Sequence, residues 1–151
     1  MPLKIGDNAP DLFFKLISSE VKELKGKKII LYFYPQDDTP TCTIEACNLR
    51  DDYKLLKSNG FEVIGVSPDS EKSHQKFTKK FTLPFNLIAD TEKELIRAFE
   101  VWGEKKMFGR PYMGVLRKTF IISENGIIEK IIDKVTSKKH ANQILKVMGM
   151  K

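Results

Sequence analysis

The chain has 151 residues, 41% of them apolar and 30% charged, with a formal net charge of +6 and two cysteines. That length buries a core in a single domain spanning residues 1–151 without disulfides or a metal to hold it, and nothing approaches the roughly 18 apolar residues of a membrane span. The lysines are scattered in pairs such as Lys27-Lys28, Lys79-Lys80, Lys105-Lys106 and Lys138-Lys139 beside apolar positions, which reads as a solvated surface and not as a nucleic-acid patch.

The opening run Met1-Pro2-Leu3-Lys4-Ile5-Gly6-Asp7 has no apolar stretch of signal-peptide length. The expected location is cytoplasmic, where a cysteine pair serves redox chemistry more often than structure. Ile29 to Tyr34 and Phe61 to Val66 are short apolar runs rich in β-branched and aromatic residues, as in strands buried on both faces. Between them Cys42, Ala46, Leu49, Tyr53 and Leu56 recur at steps of four and three, which is one face of a helix. Thr39 suits its N-cap, Pro40 its first position and Asn59-Gly60 its left-handed stop, so one helix over this whole stretch completes a βαβ unit.

A second helix is expected from just after Ser67-Pro68-Asp69 to about Phe81, with Phe77 and Phe81 facing inward. A short strand follows at Phe85 to Ile88, then a helix from Thr91 to Phe99 opened by a Thr91-to-Glu94 capping box. The stretch from Gly103 to Gly114, with Met107, Phe108, Pro111 and Tyr112, reads as a loop bordering the site or a partner surface, or simply connecting elements, and Trp102 reads as core. Lys118 to Ile122 and Ile127 to Ile132 flank Ser123-Glu124-Asn125-Gly126, a hairpin signal, and a final helix runs from Ser137 to Met148. This order predicts an α/β, thioredoxin-like fold with a central mixed sheet flanked by helices.

Both cysteines fall at the expected strand-to-helix junction. Cys42 lies in the first turn of its helix, where unpaired backbone N–H groups and the positive end of the peptide dipole favour a thiolate. Thr39 places a hydroxyl on the turn before it. Cys47 lies five residues on; in an unbroken helix that is about 140° of rotation and ~7.5 Å of rise, or roughly 8.5 Å between Cα atoms. A disulfide tolerates about 7 Å, so forming one requires the first turn to unwind. Zinc is disfavoured, because His74 and His140 sit among Lys and Ser on presumed helix surfaces without metal-ligand spacing.

The Pro35-x-x-x-Thr39-x-x-Cys42 spacing resembles the active-site signature of the peroxiredoxins. The longer run from Tyr34 to Cys47 is similar to the bacterioferritin comigratory protein, or peroxiredoxin Q, subfamily, with Thr41 where that subfamily usually has Gly. The likeness extends to Gly6-Asp7-x-Ala9-Pro10, Val66-Ser67-Pro68-Asp69, Val101 to Lys106 and Arg117-Lys118-Thr119-Phe120. The resemblance implies a cofactor-free peroxidase in which Cys42 attacks the peroxide, Thr39 positions it, Pro35 shields it from water and Arg117 holds both thiolate and peroxide. It also makes Cys47 the resolving cysteine of an intramolecular disulfide, implies hydroperoxide substrates and a monomer, and leaves the reductant open between thioredoxin and glutaredoxin.

A thiol of pKa ~8.5 is only ~3% thiolate at about pH 7; lowering the pKa to ~6 raises that fraction about thirty-fold, while a Brønsted slope of ~0.45 returns about tenfold of the gain. Fast peroxide reduction therefore needs donors for the charge developing on the departing oxygen, and Arg117, Thr39 and the helix-start amides are the candidates. Two alternatives remain at this level: a protein thiol-disulfide oxidoreductase, which would normally carry Cys-x-x-Cys, and a redox-regulated binding protein that uses the unwinding itself.

Overall fold

In the computed structural model, which describes residues 3–20 and 27–150, the chain runs α1 (Asp11–Glu20), β1 (Lys28–Phe33), α2 (Pro40–Asp51), α3 (Tyr53–Ser58), β2 (Phe61–Ser67), α4 (Glu71–Phe81), β3 (Asn86–Ala89), α5 (Glu94–Ala98), β4 (Trp102–Met107), β5 (Arg110–Val115), β6 (Lys118–Ile122), β7 (Ile128–Ile132) and α6 (His140–Val147). Met1 and Pro2 of the opening run lie outside the described residues. Five strands form a mixed sheet in the order β3-β2-β1-β6-β7, with β1, β2 and β3 parallel and β6 antiparallel to both β1 and β7. This is the thioredoxin-like arrangement expected. No helix among the described residues is long and apolar enough to cross a membrane.

Strand alternation divides the core in two. Ile29, Leu31 and Phe33 of β1 join Ile64 and Val66 of β2 and Phe120 and Ile122 of β6 in a cluster with Phe13 of α1 and Leu95 and Ile96 of α5. Ile30 and Tyr32 face the other way with Phe61, Val63 and Ile121, against Cys42, Ala46 and Leu49 of α2, Phe77 of α4 and Ile144 of α6. Successive side chains of a strand point to opposite faces, so a near-continuous apolar run is what a strand covered on both sides requires. Gly65 makes room on the second face: a Cβ there would lie 2.9 Å from the Tyr32 ring and 2.7 Å from Leu87.

The local structure departs from the sequence pattern in four places. The helix expected to run to Asn59 breaks at Asp52, whose backbone turns to φ −104°, ψ 13°, and restarts as α3. Asp competes with its own helical backbone and favours such breaks. The Thr91 capping box does not form. Instead α5 starts at Glu94, behind Lys93 in a left-handed conformation, and the Asp90 carboxylate accepts from the N–H groups of Leu95 and Ile96 at 3.2 and 2.8 Å. The stretch from Gly103 to Gly114 is a two-stranded hairpin, β4 paired with β5, turning at Phe108 and Gly109. The final helix opens with a 3-10 turn at Ser137–Lys139. Trp102 is half-buried against the first cluster, with Lys93 Nζ 5.3 Å from its ring centre.

Candidate active site

The turn joining β1 to α2 is held from beneath by Asp37. Its Oδ1 accepts from the Tyr34 hydroxyl at 2.6 Å, its Oδ2 from Ser73 Oγ at 2.7 Å and from His74 Nδ1 at 2.7 Å, and its N–H donates to Asp69 Oδ2 at 2.7 Å. His74 is buried, and its second nitrogen faces the Ile88 carbonyl at 3.0 Å. With an acceptor on each ring nitrogen, His74 needs both protons. Burial alone would lower its pKa, but the Asp37 hydrogen bond and charge outweigh burial and raise it. Burial likewise pushes Asp37 up, and the donors from His74, Tyr34 and Ser73 bring it below its usual value. The buried ion pair ties α4 to the turn that presents α2.

Thr39 occupies the N-cap position of α2 without making a side-chain cap. Its hydroxyl instead donates to the Gln36 carbonyl at 3.1 Å, which leaves the oxygen free to accept. The first helical N–H groups are therefore not taken up by that side chain. Cys42 lies in this first turn with 1% of its surface exposed, and Arg117 Nη2 donates to its sulfur at 3.1 Å. The same guanidinium donates through Nη1 to Glu45 Oε1 at 2.7 Å. Arg117 thus grips α2 at two side chains three residues apart on one helix face.

Glu45 is fully buried, and burial pushes its pKa up to about 7 against the pull of Arg117. Beyond it His140, also fully buried, is pushed down to about 4 by desolvation and lies 2.8 Å from Thr119 Oγ1. Asn48, one residue past Cys47, fastens α2 to the start of α6. Its Oδ1 accepts from Ala141 N at 2.8 Å and its Nδ2 donates to the Lys138 carbonyl at 2.9 Å. Cys47 is half-buried on the same unbroken helix as Cys42, and both thiols are free.

Pro35 and Thr39 line a groove of about 420 Å³ together with Lys105, Tyr112 and Val115 of the β4–β5 hairpin. Larger hollows of about 690 and 600 Å³ along α6 and beside Leu3 to Ile5 contain neither cysteine. Lys105 donates to the Val115 carbonyl at 2.8 Å, and burial followed by repulsion from Arg117 lowers its pKa, with Cys42 opposing.

A helix-start thiol under a guanidinium, beside a hydroxyl-bearing turn, is an arrangement suited to thiol chemistry, and comparison with known proteins gives the family of the chain. The family model described as AhpC/TSA family matches residues 5–131. The chain belongs to this family. A peroxiredoxin Bcp of Bacillus subtilis is 46% identical over 151 residues, 98% of this chain and 96% of the relative. A cysteine-to-serine mutant of PrxQ from Xylella fastidiosa superposes with a TM-score of 0.85 at 28% identity, covering 99% of this chain and 97% of its own. The bacterioferritin comigratory protein of Xanthomonas campestris, whose alkyl peroxide reduction activity was studied in trapped intermediate and ligand complexes, gives a TM-score of 0.77 at 34% identity, covering 85% and 82%. The chain is a peroxiredoxin, an oxidoreductase that reduces hydroperoxides at a cysteine with a thioredoxin-type reductant.

Of the residues singled out from the sequence, the structure brings Arg117 onto Cys42, sets Pro35 and Thr39 along one groove at the turn before α2, and places Cys47 on the same helix as Cys42. His74 and His140, expected on helix surfaces, are instead buried among polar partners. Glu45, Asp37 and Asn48 were not singled out, although Glu45 breaks an otherwise apolar buried stripe of Cys42, Ala46 and Leu49. A charge in such a stripe signals a buried partner.

Replacing His74 with Ala leaves Asp37 buried beside fewer donors and should cost about 3 kcal/mol of stability in urea unfolding. Because His74 is raised, its share is complete below about pH 6.5 and is lost as pH rises through its folded pKa. The Asp37 share is present above 3.8 and lost as pH falls through its lowered folded value. The wild-type advantage should therefore peak between about pH 4 and about pH 6.5. An advantage independent of pH would contradict the charged pair.

Proposed function

We propose that Cys42 is the peroxide-attacking thiolate and Cys47 its resolving partner, in one domain acting as a cytoplasmic monomer on hydrogen peroxide and organic hydroperoxides. The observation that carries this reading is the 3.1 Å contact of Arg117 Nη2 with a Cys42 sulfur that is 1% exposed in the first turn of α2. In the first step the sulfur lone pair forms an S–O bond, the O–O bond breaks, and the leaving hydroxide or alkoxide takes the electron pair and then a proton. Cys42 becomes a sulfenic acid. Arg117 stabilises the thiolate and the oxygen that gains charge. The Thr39 oxygen accepts from the peroxide, and Pro35 closes the groove to water.

In the second step Cys47 attacks the Cys42 sulfur, an S–S bond forms, and hydroxide leaves as water. The five-residue spacing on one helix requires the turns of α2 ahead of Asn48 to unwind before that bond closes. Thioredoxin then returns two electrons and two protons to the cysteines, with glutaredoxin as the competing reductant. The groove beside Tyr112 and Val115 has room for the carbon chain of an alkyl hydroperoxide, the substrate class studied in the Xanthomonas relative.

The test is NADPH consumption through thioredoxin and its reductase with hydrogen peroxide and with an organic hydroperoxide. Arg117→Ala should slow the first oxidation about a hundredfold while lowering the thiolate fraction far less. Equal losses would show that Arg117 acts on thiolate formation alone. Cys47→Ser should give one rapid oxidation of Cys42 per molecule and no turnover with thioredoxin; sustained turnover would remove Cys47 from the cycle.

A further inference from the structure

Only one of the two oxygens of Glu45 is accounted for by Arg117. Oε1 accepts from Nη1, whereas Oε2 is buried without a hydrogen-bond partner among the described residues and lies 3.5 Å from His140 Nε2. The proton count at His140 decides what that orphan means. Gln143 Nε2 donates to the Lys134 carbonyl at 2.8 Å, which fixes the amide orientation. Gln143 Oε1 is thus the acceptor for Thr136 N at 2.8 Å and for His140 Nδ1 at 3.0 Å. His140 therefore carries its ring proton on Nδ1. The Nε2 of a neutral ring then presents a single lone pair, with Thr119 Oγ1 at 2.8 Å and Glu45 Oε2 at 3.5 Å both facing it.

Among the described residues no group donates to Glu45 Oε2, and the Tyr32 hydroxyl, the other buried polar atom without a partner, makes no hydrogen bond to it. As an anion it would hold part of a full charge in a fully buried position, opposite a lone pair, which is among the costliest arrangements a folded chain can carry. As an O–H it would face that nitrogen without a buried charge, 3.5 Å away. We propose that in the reduced enzyme Glu45 holds a proton on Oε2, on the side that faces His140, and positions Arg117 as a neutral carboxyl that leaves the guanidinium charge to the Cys42 sulfur and the peroxide.

The surroundings favour that state. Burial raises Glu45 to about 7 and lowers His140 to about 4, so the proton resides on the carboxyl side of the pair. The other groups facing this pocket are Cys42 on α2 itself, Arg117 before β6, and Tyr32 of β1, whose hydroxyl is kept protonated first of all by burial and has no hydrogen-bond partner among the described residues. Lys105 of β4 faces Arg117 and Cys42, and Lys138 and Lys139 of the turn before α6 are exposed to screening solvent. As pH rises through about 7, Glu45 ionises, and a second anion then shares the guanidinium with the sulfur. Glu45 acts through Arg117 and is a positioning residue; its effect on rate rests on the assignment of Cys42 and Arg117 as the reacting pair.

The test is infrared spectroscopy of the reduced protein as pH is raised, with Glu45→Gln as the reference. A carboxylic-acid carbonyl band should be present at about pH 5.5, disappear near pH 7, and be absent from Glu45→Gln throughout. In stopped-flow oxidation by hydrogen peroxide, the wild-type rate relative to Glu45→Gln should fall about three- to tenfold between about pH 6 and about pH 8. Absence of the band at the lower pH in wild type overturns the proposal without any variant, as does a nitrogen NMR signature of a doubly protonated His140. A flat rate ratio overturns the claimed action through Arg117. The spectroscopic arms use no peroxide, so they can fail while Cys42 and Arg117 keep their roles, and Arg117→Ala can fail its own test while the band is present.

Discussion

The guanidinium of Arg117 is the constraint from which the rest of the site follows. It reaches α2 from the segment before β6 and holds the helix by the Cys42 sulfur at 3.1 Å and the Glu45 carboxyl at 2.7 Å. A planar fork can do this where a point charge cannot, because its donors are set in fixed directions. The reach is possible because β6 pairs antiparallel with β1, setting Lys118 opposite Phe33, just where β1 gives way to the turn that carries Asp37 and Thr39. Sheet register thus brings residue 117 beside residue 42, which the sequence separates widely.

The grip has opposite consequences for the two half-reactions proposed. Peroxide attack needs α2 intact, with its first turn and Arg117 both presenting donors. Disulfide formation needs that turn undone, although Cys42 and Ala46 are packed into the second core cluster. Oxidation itself changes the balance: a thiolate receives a charge-assisted hydrogen bond from Arg117, and a neutral sulfenic acid receives a weaker one. Losing the anion therefore loosens the helix when Cys47 must reach its partner. Asn48 sets the limit of the motion, since its two hydrogen bonds hold the rest of α2 against the start of α6.

Legibility in the sequence follows physical pattern. The β1–α2–β2 unit could be read because continuous apolar strands and a helical stripe leave different periodicities, and the turn before Cys42 carried its own signature. The β4–β5 hairpin could not. Its residues from Glu104 to Met113 are mostly exposed, so no alternation marks them as strands, and the Phe108 tip is almost wholly solvated. The start of α5 lies away from the position the pattern marks, because its cap comes from Asp90, upstream of the capping box that Thr91 and Glu94 suggest. His74 and His140 depart from the pattern for a related reason. Neighbouring lysines imply solvent, but each ring turns inward to a partner distant in sequence, Asp37 for one and Thr119 for the other.

Hydrogen exchange of the backbone amides from Cys42 to Asn48, compared between reduced and disulfide forms, tests the coupling of chemistry to helix unwinding most directly. The account predicts strong protection in the reduced protein. In the oxidised protein it predicts loss of protection confined to the turns before Asn48, with α6 and the central strands unchanged. Equal protection of this segment in both forms would contradict it.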